Sequence, residues 1–136
     1  MKAESGFLWQ RALRAAASVK VLLADGDPDG ASSKAYYAAF HAVSALFALK
    51  GRFFSKHSAV EDAVHRELVN SGVWPKELGR FYSLLRELRQ VGDYDRLTSV
   101  SVEKAHKALE AATRIIEAVH RLASDEFPLP ESWPRA

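Results

Sequence analysis

The chain has 136 residues, 48% of them hydrophobic, and a formal net charge of +2. That is enough apolar material for one packed domain, and too small a charge excess to demand a nucleic-acid or membrane partner. The absence of cysteine excludes disulfides, thiolate metal sites and a cysteine nucleophile.

The pattern is helical nearly throughout. Residues 7–24 carry Leu8, Ala12, Ala15, Val19 and Leu22 at helical spacing. Asp25-Gly26-Asp27-Pro28-Asp29-Gly30 is a dense turn signal, and a second helix is expected over 31–50 with Gly51 as its stop. Residues 52–57 read as a loop. Ser58-Ala59-Val60-Glu61 reads as a capping box opening a third helix to about Asn70. Gly72 breaks it, Pro75 suits the first turn of a fourth helix, and Gly92 is expected to end that helix after Val91. Residues 99–101 introduce a fifth helix, ending near Ala123, whose Val102, Ala105, Leu109, Ala112, Ile116, Val119 and Ala123 form a packing seam.

Short loops imply antiparallel neighbours, so the expected fold is all-α: an up-and-down bundle of about five helices over residues 1–124. Pro128, Pro130 and Pro134 forbid helix beyond it, leaving an extended, proline-rich tail at 125–136. Phe127, Leu129 and Trp133 suit docking on the bundle or on a partner, and a frayed tail fits equally. No apolar run approaches the roughly eighteen residues of a membrane span. The opening Met1-Lys2-Ala3-Glu4-Ser5-Gly6 lacks a signal-peptide pattern, and the expected location is the cytoplasm.

Positive residues are spread along the chain, mostly near acidic ones, which reads as a solvated mixed surface. On the second helix Tyr36, Phe40, Val43 and Phe47 share one face and read as core. Tyr37, His41, Ser44 and Ala48 share the adjacent face. Tyr37 and His41, one turn apart, read as a hydrogen-bonded core pair, with the wall of a ligand site as the alternative. On the fourth helix Leu78, Phe81, Leu85 and Leu88 mark the buried stripe and Arg89 borders it. Three arrangements fit Arg89: its stem along apolar surface with the guanidinium in solvent, a pair with Asp93 one turn on, or a planar fork holding a phosphate. The five histidines include no pair at the spacing of a helical metal site, and no metal or cofactor is expected.

Ser33-Lys34-Ala35-Tyr36-Tyr37-Ala38-Ala39-Phe40-His41-Ala42, then Lys56-His57-Ser58, then Glu87-Leu88-Arg89-Gln90-Val91-Gly92-Asp93-Tyr94-Asp95, together resemble the small stand-alone HEPN-domain proteins of bacteria and archaea. The resemblance covers residues 7 to 124. It implies a helical bundle that pairs into a homodimer, a nucleotide- or RNA-related role, and a minimal nucleotidyltransferase as partner, often in a toxin–antitoxin pair. Active members of the family are metal-independent endoribonucleases, with an arginine, a polar residue and, shortly after, a histidine at a cleft between two protomers. Arg89 and Gln90 match the first two, whereas positions 94 to 96 hold Tyr94, Asp95 and Arg96. Arginine and histidine recur at similar spacing at Arg52 and His57 and at Arg114 and His120.

The expected function is therefore a binding module for a nucleotide, RNA or a nucleotidyltransferase, with Arg89, Asp93, Tyr94, His57, Tyr37 and His41 as ligand-binding candidates. The alternatives are an endoribonuclease using Arg89, His57 and Tyr94, and a purely structural dimer. In some related pairs the partner modifies a tyrosine at this place, which would make Tyr94 a target.

Overall fold

The computed structural model describes residues 2–134; Met1 and the last two positions of the tail lie outside the described residues. The chain forms α1 (Lys2–Ala24), α2 (Pro28–Leu49), α3 (His57–Ala63), α4 (Lys76–Tyr94) and α5 (Val102–Leu122), with no strand among the described residues. The all-α bundle expected from the sequence is the observed fold. None of these helices is long and apolar enough to cross a membrane.

α2 is the centre of the bundle and packs against α1, α3, α4 and α5. Its alanines explain why: Ala31, Ala35, Ala38, Ala39, Ala42, Ala45 and Ala48 are all fully buried, so neighbouring helices approach its backbone on several sides. Larger groups fill the space between: Trp9 and Val19 from α1, Val43 and Phe47 from α2, Tyr82 and Leu85 from α4, Ile115, Ile116 and Val119 from α5. Each fully buried aliphatic or aromatic side chain contributes roughly 1.5–3 kcal/mol.

Helix limits depart from the sequence reading in several places. α2 begins at Pro28 rather than at residue 31, because the Asp27 side chain accepts from Gly30 N at 2.9 Å and Pro28 occupies the first turn. α3 begins at His57 with Lys56 at the capping position and no side-chain cap bond, so Ser58 is not the cap. α3 also does not continue as one α-helix to Asn70. It widens into a π-helical segment, Val64–Val69, in which Asn70 N reaches back to His65 O at 2.8 Å.

The departure at the end of α4 bears on the site. α4 passes through Gly92 and ends at Tyr94. A Cβ at Gly92 would lie 2.8 Å from the Asp29 carbonyl oxygen, so the glycine serves the close crossing of α4 over the start of α2. The same Asp29 accepts from Val100 N at 2.7 Å through its side chain, fixing the loop that leads to α5.

The tail packs on the bundle. Phe127 is fully buried, its ring 5.1 Å from that of Trp9. Trp9 Nε1 donates to Pro128 O at 2.8 Å, and His120 Nδ1 donates to Phe127 O at 2.7 Å. Trp133 Nε1 donates to Glu117 Oε2 at 3.0 Å.

Candidate functional site

Two tyrosines of α2, one arginine of α4 and the histidine that opens α3 converge at one end of the bundle. Arg89 Nη1 donates to the Tyr37 hydroxyl at 2.9 Å. Its guanidinium carbon lies 4.9 Å from the Tyr36 ring centroid, 5.6 Å from Tyr37 and 5.5 Å from Tyr94, all within cation–π range. No carboxylate of the described residues lies within 4 Å of Arg89, and its buried Nε has no hydrogen-bond partner.

The Arg89–Asp93 pair is thus not formed. Asp93, exposed one turn on, accepts instead from the Ser33 hydroxyl at 3.1 Å. The α4–α2 crossing at Gly92 sets this: it brings the last turn of α4 against the start of α2, within reach of Ser33.

His57 belongs to the same cluster. Its Nδ1 is 3.1 Å from the Tyr36 hydroxyl, and its ring stacks on Phe40 with centroids 4.4 Å apart. It lies 5.8 Å from the rings of both Tyr36 and Tyr37, so Tyr36 and Tyr37 separate and connect it to Arg89. Burial, and then the Arg89 charge, hold its imidazole below the ordinary value, so the ring is neutral at neutral pH. In either tautomer the Tyr36 hydroxyl satisfies Nδ1, and Nε2 makes no hydrogen bond to the described residues. Burial raises the Tyr36 phenol and pushes that of Tyr82 well above the ordinary value, so both stay protonated.

Tyr37 and His41 do not form the hydrogen-bonded pair read from their spacing. Tyr37 is engaged by Arg89, while His41 Nδ1 is buried without a partner. Burial first, then the charges of Arg11, Lys34 and His57, hold His41 at about 4.

The other arginine–histidine spacings fall apart in three dimensions. Arg52 pairs with Glu67 and lies over the Phe47 and Phe54 rings, while His57 turns to Tyr36. Arg114 pairs with Glu77 at 2.9 Å, and His120 holds the tail. No group of three or more histidines and carboxylates among the described residues is arranged to hold a metal ion.

Sequence reading missed Tyr36 and Phe40 as site residues, placing both in the core stripe. Tyr36 is buried, but its hydroxyl reaches the surface histidine, and Phe40 supplies the platform beneath it. The usable signal was a phenol, rather than a phenylalanine, beside Tyr37 in a stripe otherwise free of polar atoms.

A family model described as the HEPN domain matches residues 5–122. The chain belongs to the HEPN-domain family. This HEPN protein is also similar to a UPF0332 protein of Thermotoga maritima, with 38% identity over 118 residues covering 86% of this chain and 89% of the relative. Arg89, which the sequence resemblance matched to the family's arginine, shares its aromatic cluster with the imidazole of His57, which precedes it by more than thirty residues in the chain.

Proposed function

We propose that this HEPN protein binds a phosphate-bearing ligand, a nucleotide or RNA, at the cluster of Arg89, Tyr36, Tyr37, Tyr94 and His57. The observation that carries the reading is the unneutralised guanidinium of Arg89. A partly buried arginine often meets a carboxylate, because an uncompensated charge in a poorly solvated site is unfavourable. Here three tyrosine rings flank the guanidinium and one hydroxyl accepts from it, leaving its charge available to an anion. Exposed Tyr94 offers a face on which a base can stack. The site works as half of a homodimer cleft, with a minimal nucleotidyltransferase as the partner protein. Anisotropy titrations of labelled single-stranded RNA and labelled ATP test this. Saturable binding by the wild type that Arg89→Ala abolishes supports the reading; equal binding by both proteins sinks it.

His57 favours a second reading, a metal-independent endoribonuclease. Cleavage of RNA by internal attack needs a base for the 2′-hydroxyl proton, an acid for the departing 5′-oxygen and a cation beside the phosphorus. A neutral His57 is suited to take the first proton, Arg89 to stabilise the charge on the phosphorane, and solvent water to protonate the departing 5′-oxygen. This reading requires new RNA fragment ends in EDTA that disappear in both His57→Ala and Arg89→Ala. RNA that is bound but left intact removes it and leaves the binding reading standing.

A further inference from the structure

A groove of about 390 Å³ between α1 and α2 is lined by Arg11, Arg14 and Ser18 from one helix and by Lys34, Tyr37 and His41 from the other, with Ala15 at its floor. Its walls contain no carboxylate. Three arginines elsewhere on the molecule are paired with carboxylates, Arg52 with Glu67, Arg86 with Glu61 and Arg114 with Glu77, but none of these three lines the groove. Arg11, Arg14 and Lys34 have no carboxylate within 4 Å among the described residues, and the Arg11 guanidinium lies 4.6 Å from the Phe7 ring.

We infer that this groove is a phosphate subsite, in which Arg11, Arg14 and Lys34 hold a phosphate of the same ligand whose neighbouring group meets Arg89. The inference rests on the phosphate-ligand reading of the Arg89 cluster. Tyr37 joins the two places, since its ring lines the groove while its hydroxyl accepts from Arg89. Three cations converging on one groove repel each other, and an anion between them turns that repulsion into attraction. Of the polar groups in the groove, His41 Nδ1 is buried and unpartnered, whereas the Ser18 hydroxyl spends its one proton on the Arg14 carbonyl at 3.1 Å and gives an anion a donor only by rotating away from it. The depressed titration of His41, driven in part by Arg11 and Lys34, reports the same positive field. A phosphodiester of RNA and the polyphosphate of a free nucleotide present the same oxygens, and the groove is complementary to both.

The test titrates labelled single-stranded RNA and labelled ATP, over a series of salt concentrations, with the wild type, Arg89→Ala and the variant Arg11→Gln/Arg14→Gln/Lys34→Gln. The three groove residues are exposed, so their replacement leaves the core intact, and a thermal melt confirms it. Single-stranded binding loses about 0.7 of slope in log K against log salt for each cation removed from a phosphate. The groove variant is expected to flatten the RNA slope by about 2 and to weaken low-salt binding by at least roughly tenfold. Lys34→Gln alone is expected to flatten it by about 0.7. Loss confined to the ATP arm identifies a free nucleotide as the phosphate source and also supports the subsite. Unchanged affinity and slope in the groove variant, with binding lost in Arg89→Ala, overturns the subsite and leaves the Arg89 reading intact. A wild type that binds neither ligand overturns both.

Discussion

Arg89 and Tyr37, 52 positions apart in the chain, are joined by a hydrogen bond of 2.9 Å from guanidinium to phenol. That bond fastens the last turns of α4 to the middle of α2, and it orients the one cation around which the aromatic cluster is built. Hydrogen bonds to charged groups contribute about 1.5–3 kcal/mol when buried and less when solvent shares the site. Because the site is half-open, Tyr37→Phe is expected to lower stability by about 1 kcal/mol and to weaken ligand binding more than it weakens the fold. Urea melts beside anisotropy titrations check both parts; unchanged affinity would mean that Arg89 is oriented without Tyr37.

Gly92 and Gly6 make a pair with opposite expected signs. Both lie within helices, where alanine is favoured over glycine by about 1 kcal/mol. A Cβ at Gly6 meets nothing within 4 Å, so Gly6→Ala is expected to stabilise by about 0.5–1 kcal/mol. At Gly92 the same atom would stand 2.8 Å from a backbone carbonyl of α2, which moves only with the helix. Gly92→Ala is expected to destabilise by roughly 1–3 kcal/mol and to displace Arg89 and Tyr94 with the end of α4. Chemical denaturation of both variants measures this, and a stabilised Gly92→Ala would show that the crossing is loose.

The tail is fastened by one buried ring and a few polar contacts. Phe127→Ala is expected to cost about 3–5 kcal/mol, in the range of buried aromatic truncations. Trp9 reports the change directly, since its ring lies 5.1 Å from Phe127 and its indole N–H bonds the Pro128 carbonyl. A red-shifted tryptophan emission in the native state should accompany the loss. Native-like emission and an unchanged melt would contradict a structural tail.

His41 gives the fold a pH dependence. Its folded value of about 4 lies below the ordinary 6.5, so between these limits the unfolded chain binds more protons than the native one. The contribution from neutral His41 is fully present above pH 6.5 and is lost as the pH falls toward 4. Burial and the charges of Arg11, Lys34 and His57 set the sign, and His57 shifts in the same direction. His41→Gln should therefore lose stability less steeply than the wild type over pH 6.5 to 4, measured as Tm against pH. Parallel curves would mean that His41 titrates normally in the native state.

Much of the fold was legible in the chain because its signals are local. The alanine-rich 31–48 stretch, the Gly51 stop and Ser101, whose hydroxyl accepts from Lys104 N at 3.1 Å, act within a turn or two of themselves. Gly92 was misread as a helix end because its reason, the backbone of Asp29, lies in another helix. The π-helical segment after Ala63 carries no local mark; His65 there contacts Ser83 at 3.1 Å and would press on any Cβ at Gly79. The site divides in the same way. Arg89 stood out by its place beside an apolar stripe, but Asp93, its nearest carboxylate in sequence, is bonded to Ser33. Its true neighbours, Tyr36 and Tyr37, and their link to His57, arise only when α2, α3 and α4 meet.

The most direct test of the central claim is the NMR signal of the Arg89 side-chain N–H groups, assigned by its loss in Arg89→Lys, during titration with single-stranded RNA and with ATP. The account predicts a progressive, saturable shift of these signals, following the same binding curve as anisotropy, because the guanidinium gives its free donors to a phosphate. Binding that saturates while the Arg89 signals stay where they were would contradict it.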